Sequence, residues 1–158
     1  MAFTFRAPGP ADLPALSTLC LRSKGHWGYD AAFLAACRAE LTLTTADLAA
    51  TALLMAESGS TPAGLVQLSR GADPASLEKL FVDPPFIGSG LGRRLFEWAV
   101  AEARAHGAAA LAIEADPGAA PFYAAMGARE TGTVPSGSIP GRHLPLMRLD
   151  LRGPGKPL

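Results

Sequence analysis

The densest signal in this 158-residue sequence is Val82-Asp83-Pro84-Pro85-Phe86-Ile87-Gly88-Ser89-Gly90-Leu91-Gly92-Arg93-Arg94-Leu95. It joins the end of an apolar strand to a glycine-rich loop that opens a helix. Glycines in such a loop allow positive φ and let the backbone approach a ligand closely. The free N–H groups and the positive dipole end of the helix suit a phosphate or a pyrophosphate. The segment therefore predicts an anion-binding loop, and a tight turn that needs glycine only for packing is the alternative.

Two common phosphate-binding motifs do not match this loop. A Walker loop ends in Lys followed by Ser or Thr, whereas Arg93 and Arg94 stand here. A dinucleotide-binding fingerprint reads G-x-G-x-x-G after the first strand of its unit, whereas Gly88, Gly90 and Gly92 follow several predicted strands. The loop is therefore expected to bind its anion within a different fold.

Hydrophobic periodicity predicts one α/β or α+β domain over residues 1–152, followed by a frayed, disordered tail at 153–158. The elements follow the order strand, two helices, three strands, helix, strand, helix and two strands. Asp30 is predicted to cap the second helix. Alternation along residues 76–82 predicts that even-numbered side chains share one face of a strand and odd-numbered ones the other. Residues 41–49 fit either a strand or an irregular stretch that ends in a helical turn.

The composition argues against several classes of protein. The 14 basic and 14 acidic residues cancel, which disfavours nucleic acid as a partner because such domains are usually strongly basic. No apolar run approaches the ~20 residues that cross a bilayer, and neither a secretory signal nor a metal-binding motif is visible. Cys20 and Cys37 are expected to be buried, reduced thiols of a cytoplasmic protein. Most basic residues are Arg, which fits a GC-rich bacterial genome.

From Leu77 to Gly127 the chain resembles the GCN5-related N-acetyltransferase (GNAT) superfamily. Leu80-Phe81-Val82-Asp83-Pro84 and Gly90-Leu91-Gly92 match the central motif of that family, an apolar strand followed by a glycine loop and a helix. Ala119–Ala128, which contains Phe122-Tyr123, is similar to its second motif. The element order also resembles that of the family over almost the whole chain.

The resemblance implies a GNAT-like mixed, mostly antiparallel sheet of about six to seven strands with about four helices packed on it. It also implies acetyl-CoA as cofactor, with its pantetheine arm along the strand and its pyrophosphate in the loop. Ile87 departs from the usual Arg or Gln, Asp116 stands near a usual Asn, and Ala128 replaces a usual Phe. The implied cofactor-binding residues are Leu80, Phe81, Val82, Ile87, Gly88, Ser89, Gly90, Leu91, Gly92, Arg93, Arg94 and Asp116.

Acetyl transfer to an amine sets chemical requirements. The amine must lose a proton, the oxyanion needs a donor, and the leaving thiolate needs an acid. No motif for a covalent nucleophile is visible, which favours direct transfer within a ternary complex. The resemblance makes Tyr123 the candidate acid and a backbone N–H within Leu80–Val82 the candidate oxyanion donor. Glu78 is the candidate base because it is predicted to face the reacting end, and His26 and Glu114 are alternatives.

Two loops, residues 23–29 and 135–143, are expected to surround the acceptor in a fold of this kind. The predicted acceptor-binding residues are Lys24, His26, Trp27, Tyr29 and Arg142. The planar guanidinium of Arg142 suits a carboxylate and predicts an amino-acid-like acceptor. The alternative is that Arg142 caps a loop or pairs with a carboxylate such as Asp150.

These features predict an N-acetyltransferase that acts on the primary amine of a small molecule. A protein or peptide N-acetyltransferase and a non-catalytic CoA-binding regulatory module are the alternatives. An open groove would favour a peptide, whereas a closed aromatic pocket would favour a small amine. The sequence leaves the oligomeric state open, with a homodimer among the states considered.

Overall fold

A computed structural model describes residues 2–152, which form one seven-stranded sheet with helices on both faces. The strands are β1 (Thr4–Arg6), β2 (Thr51–Ser58), β3 (Thr61–Ser69), β4 (Ala75–Val82), β5 (Ala110–Glu114), β6 (Arg129–Pro135) and β7 (His143–Asp150). The α-helices are α1 (Leu13–Gly25), α2 (Ala31–Leu41), α3 (Thr45–Ala50), α4 (Leu91–Ala105) and α5 (Ala120–Ala125). The tail predicted at 153–158 lies outside the described residues.

The strands lie in the order β1-β2-β3-β4-β5-β7-β6. Within the described sheet, only β4 and β5 pair in parallel. The expected mixed, mostly antiparallel sheet is confirmed. The structure has α3 in addition to the four expected helices, and α3 starts where Thr44 N–H donates to Asp47 at 2.8 Å. Asp30 caps α2 as predicted, because its carboxylate accepts the N–H of Phe33 at 2.8 Å.

The sheet separates two hydrophobic cores. Successive residues of β3 belong to different cores, with Val66 facing α4 and Leu65 facing α1 and α2. Phe96 of α4 is fully buried in the first core. Cys20 and Cys37 are free and buried in the second, as predicted. Within residues 2–152, no helix combines the length and the apolar character needed to cross a membrane.

A β-bulge interrupts β4 at Glu78. Gln67 of β3 lies opposite Lys79, whereas the next residue of β3 lies opposite Leu77. Glu78 therefore has no residue opposite it on β3. The extra residue reverses the alternation, so Leu77 faces the same core as the even-numbered residues after the bulge. The strict alternation predicted along 76–82 is wrong for this reason.

Strands β4 and β5 separate part-way along β4. Their pairing joins only Ala75–Leu77 to Leu111–Ile113. β4 then continues against β3 as far as Val82, while β5 ends at Glu114 with β7 on its other side. Because a strand has two hydrogen-bonding edges, the edge of 78–82 that faces away from β3 has no strand partner in the described chain. This separation opens a gap in the sheet.

Candidate active site

A cavity of about 610 Å³ occupies the gap between β4 and β5. It extends from the glycine loop before α4 to the side of the sheet that α1 and α2 cover. It therefore brings most of the predicted cofactor-binding residues together with the two candidate catalytic residues. Its lining includes Leu77–Val82, Ile87, Gly88, Gly90, Gly92, Arg93, Glu114, Asp116 and Tyr123, with Lys24, Trp27, Glu40, Leu41 and Leu144.

The glycine loop gives α4 a start that is open to a ligand. Gly90 precedes the first turn of α4 and, like Gly88, has a φ of 86°, a left-handed conformation that favours glycine. Because Gly90 has no side chain, it cannot cap the helix. The first turn thus presents N–H groups that lack intrahelical acceptors, at the positive end of the helix dipole. This geometry suits the pyrophosphate predicted from the sequence.

The two arginines after the loop have different surroundings. Arg93 lines the cavity. The guanidinium carbon of Arg94 lies 4.5 Å from the ring centroid of Phe5, a cation–π contact with β1. Arg93 is therefore the better placed of the two for a phosphate, and the contact of Arg94 with CoA stays a prediction.

An ion pair that the sequence did not reveal fixes the end of β4 before the loop. The buried carboxylate of Asp83 accepts hydrogen bonds from Nε and Nη2 of Arg22 on α1, at 2.9 and 3.0 Å. The backbone N–H of Asp83 donates to Ala63 at 2.8 Å. The hydrogen bond to Asp83 raises the pKa of Arg22. A carboxylate directly after an apolar strand is the only hint in the sequence, and its partner lies 61 residues away.

Tyr123 lies between the core and the cavity. Its ring packs against Phe96 and Phe122, with centroids 5.8 and 5.2 Å apart, and the residue is 6% exposed. Its hydroxyl makes no hydrogen bond within residues 2–152, yet no side-chain oxygen or nitrogen there is sealed from solvent without a partner. The hydroxyl therefore opens into the cavity that Tyr123 lines. Burial raises the pKa of Tyr123, so the oxygen keeps its proton at neutral pH.

The candidate bases do not all reach the cavity. The bulge residue Glu78 and the last residue of β5, Glu114, both belong to the lining. His26 is absent from the described lining, and its ring lies edge-on to Trp27 with centroids 5.6 Å apart. The geometry therefore favours a carboxylate over His26 as the base.

The carboxylate of Asp116 lies among the side chains of Lys24, Tyr29 and Arg142, and we call these four residues the Asp116 cluster. The Asp116 carboxylate accepts hydrogen bonds from Lys24 Nζ at 2.8 Å and from the Tyr29 hydroxyl at 2.9 Å. The Gly118 N–H adds a third bond at 2.8 Å, and Arg142 Nη2 lies 3.6 Å away. Burial acts to raise the pKa of Asp116, but these hydrogen bonds outweigh it, so the pKa lies below its ordinary value.

Arg142 belongs to this cluster rather than to the cavity lining. Its Nη2 donates to the Tyr29 hydroxyl at 2.6 Å, and its guanidinium carbon lies 4.8 Å from the ring centroid of Phe33. Of the two interpretations of Arg142, the structure favours a pair with a carboxylate, although that carboxylate is Asp116 and not Asp150. Asp116 lines the cavity as expected for a residue near the pantetheine arm, but its oxygens are already engaged.

Trp27 forms one wall of the cavity against the loop that follows β5. It is 47% exposed and lines the cavity. A Cβ placed on Gly118 would lie 2.8 Å from Cε3 of the indole, closer than real Cβ contacts. A glycine at position 118 is therefore what allows Trp27 to lie on the backbone next to Asp116.

A family model described as an acetyltransferase (GNAT) domain matches residues 27–137, more than half of the chain. The chain belongs to the GNAT acetyltransferase family. The resemblance of the sequence is thereby confirmed, and this GNAT protein is an acetyl-CoA-dependent acyltransferase. A search of curated proteins finds no match.

Solved structures agree on the fold. A GCN5-related N-acetyltransferase from Rhodopseudomonas palustris is 23% identical, with a TM-score of 0.78 over 95% of this chain and 98% of that chain. The PaiA N-acetyltransferase of Thermoplasma acidophilum, solved with coenzyme A, is 19% identical, with a TM-score of 0.75 over 95% and 99%. The ribosomal-protein-S18-alanine N-acetyltransferase of Escherichia coli is 21% identical, with a TM-score of 0.70 over 99% of both chains. At such identities the likeness concerns the fold of the GNAT protein and not its acceptor.

Sequence reasoning missed one carboxylate of the site, Glu40. It lies in the last turn of α2, lines the cavity and accepts a hydrogen bond from the hydroxyl of Ser138 in the loop between β6 and β7. A Cβ on Gly137 would lie 3.3 Å from Glu40 Oε1, so this loop passes close to the carboxylate. A glutamate near the end of an amphipathic helix carries no sequence signal for such a role, because the contact depends on how α2 packs.

Proposed function

We propose that this GNAT protein transfers the acetyl group of acetyl-CoA directly to the primary amine of a small molecule, within a ternary complex. One observation carries the proposal. A single cavity connects the glycine loop, the unpaired edge of β4, the Tyr123 hydroxyl and a chamber under α1 and α2. The cofactor and the acceptor can therefore approach one another from opposite ends of that cavity.

The loop end of the cavity fits the cofactor. Backbone N–H groups of the first turn of α4 and the side chain of Arg93 would hold the pyrophosphate. The unpaired edge of Leu80–Val82 would pair with the amide groups of the pantetheine arm, as an added strand does. The half-exposed Ile87 contributes no charge, so the backbone supplies most of the anion binding at this end.

The chemistry follows from the groups in the middle of the cavity. Bound acetyl-CoA supplies the thioester, whose carbon–sulfur bond is exchanged for the carbon–nitrogen bond of the amide. Glu78 takes the proton of the acceptor ammonium, directly or through a water molecule, because an ammonium has no lone pair. A backbone N–H of Leu80–Val82 stabilises the oxyanion. Tyr123 gives its proton to the leaving sulfur. This proton is available at neutral pH because the pKa of Tyr123 is raised.

The acceptor end favours a small molecule over a peptide. The Asp116 cluster ties the end of α1 and the loop between β6 and β7 to the end of β5. The hydrogen bond between Glu40 and Ser138 ties α2 to the same loop. These contacts hold α1, α2 and the loop between β6 and β7 together beside the acceptor end, which supports a small acceptor over a peptide laid across it.

The test combines binding with turnover. Calorimetry should show that acetyl-CoA binds, and release of free CoA should depend on an added small primary amine. A panel of peptides with free N-termini or lysines serves as the competing arm. Faster acetylation of peptides than of small amines would contradict the small-molecule acceptor, and tight binding without any turnover would support a regulatory module instead.

A further inference from the structure

We infer that the acceptor carries a second positive charge, which Glu40 recognises while Glu78 serves the reacting amine. The inference rests on the proposed function and names the class of acceptor. It starts from the charges on the acceptor side of the cavity, where Glu40, Glu78 and Glu114 contribute carboxylates. None of the three forms an ion pair with a side chain of residues 2–152.

The cations of this region are engaged within the protein, and Lys24 and Arg142 share the carboxylate of Asp116. Lys24 lies 2.8 Å from Asp116, and its side chain is only 14% exposed. Arg142 is held by the Tyr29 hydroxyl and lies outside the lining. On the acceptor side of the described lining, Lys79 is the only cation without a carboxylate partner, and it donates to Gln67 Oε1 at 3.1 Å. In this part of the lining, three exposed carboxylates thus lack a basic partner, whereas Lys79 is the one cation there that lacks an acidic partner.

A second observation, which does not depend on these charges, points to a ligand site in this cavity. The hydroxyl of Tyr123, a residue that is more than nine-tenths buried, has no partner in the described chain and opens into the same cavity. The hydroxyl is open to solvent there, so a molecule that displaces this solvent would have to supply a hydrogen-bond partner of its own. We therefore expect the reacting end of the acceptor near Tyr123, in a cavity whose lining also includes Glu40, Glu78 and Glu114.

Glu40 is the carboxylate best placed for a second charge. Glu78 stands at the bulge of β4 and lines the cavity next to the backbone edge where the thioester is expected. Glu40 comes from α2 and is held by Ser138, so it belongs to the outer wall of the chamber. A compact diammonium ion could therefore place one nitrogen beside Glu78 and the other beside Glu40. The acid group of an amino-acid-like acceptor would meet these same carboxylates unfavourably.

Three four-carbon amines separate the possibilities: 1,4-diaminobutane, butan-1-amine and 4-aminobutanoate. With the full chain and saturating acetyl-CoA, we expect kcat/KM to be at least tenfold higher for the diamine than for either of the others. Added salt should reduce this preference, because screening weakens the recognition of charge. Glu40→Gln keeps a hydrogen-bond acceptor for Ser138. It should lower kcat/KM for the diamine at least tenfold, mainly by raising KM. Glu130→Gln, on the exposed strand β6, is the matched control.

The outcomes are distinguishable. The inference is overturned if 4-aminobutanoate or butan-1-amine is the preferred substrate, or if Glu40→Gln slows the diamine and butan-1-amine equally. Failure of acetyl-CoA to bind in calorimetry would instead remove the proposed function itself. If acetyl-CoA binds and other small amines react but none of these three does, the inference of a second positive charge is wrong, while the proposed function stands.

Discussion

Trp27 and Gly118 lie so close together that one added methyl group would force them apart. The indole Cε3 would be 2.8 Å, and Cδ2 2.9 Å, from a Cβ on Gly118. Both atoms belong to a rigid ring, so the side chain cannot yield by a small bend. This contact therefore fixes the position of the loop after β5 relative to the end of α1.

Gly118→Ala should displace Trp27 and disturb the acceptor wall. We expect kcat/KM for the acceptor to fall by ~tenfold, while the affinity for acetyl-CoA changes little. Gly132→Ala is the matched control, since a Cβ there meets nothing within 4 Å. Adding Trp27→Ala to Gly118→Ala should relieve the clash. The interpretation fails if Gly118→Ala and Gly132→Ala have the same steady-state kinetics.

Gly90→Asp should weaken acetyl-CoA binding by adding a negative charge where the pyrophosphate is expected. The side chain would enter open space, but the φ of 86° strains any residue other than glycine. Gly90→Asn carries the same strain without the charge, so the difference between the two variants isolates the electrostatic part. We expect calorimetry to give at least a tenfold larger Kd for Asp than for Asn, or ~1.4 kcal/mol. Equal affinities would show that no anion binds at this loop.

Tyr123→Phe should reduce turnover far more than binding, because it removes only the hydroxyl that opens into the cavity. General acid catalysis is typically worth ~10²–10⁴-fold, and we expect kcat to fall within that range. Since burial raises the pKa of Tyr123, its deprotonation should not limit kcat below pH ~10, the ordinary pKa of tyrosine. A variant with unchanged kcat would assign Tyr123 to the core alone.

The sequence predicted most of the fold because its signals are local. The alternation of strand residues, the glycine loop, the cap at Asp30 and the Phe122-Tyr123 segment each lie within a few neighbouring positions. The bulge at Glu78 could not be predicted, because it depends on which residues of β3 lie opposite Lys79 and Leu77. That register is a contact between strands and leaves no local pattern.

The candidate site was predictable at its loop end and much less so at its acceptor end. Arg142 was predicted at the site, but its partners were not, because Tyr29 is 113 residues away along the chain. Lys24 and Asp116 are separated by 92 residues. Charged groups that such contacts compensate look identical in the sequence to charges that are free to bind a substrate. The expected recognition of an acid group by Arg142 was based on that ambiguity.

The lowered pKa of Asp116 makes a prediction about stability and pH. The pKa of Asp116 is lower in the folded protein than in the unfolded chain, where an aspartate has a pKa of about 3.9. Its contribution to stability is therefore complete at pH values above 3.9 and is lost as the pH falls through the folded pKa. Asp116→Asn removes the charge and keeps part of the hydrogen bonding. We expect it to lower the free energy of unfolding at pH 7 by ~2 kcal/mol, less than the 3–5 typical of a fully broken buried pair.

The control for this variant is Asp150→Asn, whose carboxylate accepts only the nearby N–H of Arg152 among the described residues. Urea unfolding at pH 7, 5, 4 and 3 measures both variants against the native chain. The deficit of Asp116→Asn should be constant from pH 7 to pH 5 and then shrink toward pH 3, because the native chain loses the same interaction by protonation. A deficit that stays constant down to pH 3 would mean that Asp116 contributes through packing, and that Lys24 and Arg142 do not depend on its charge.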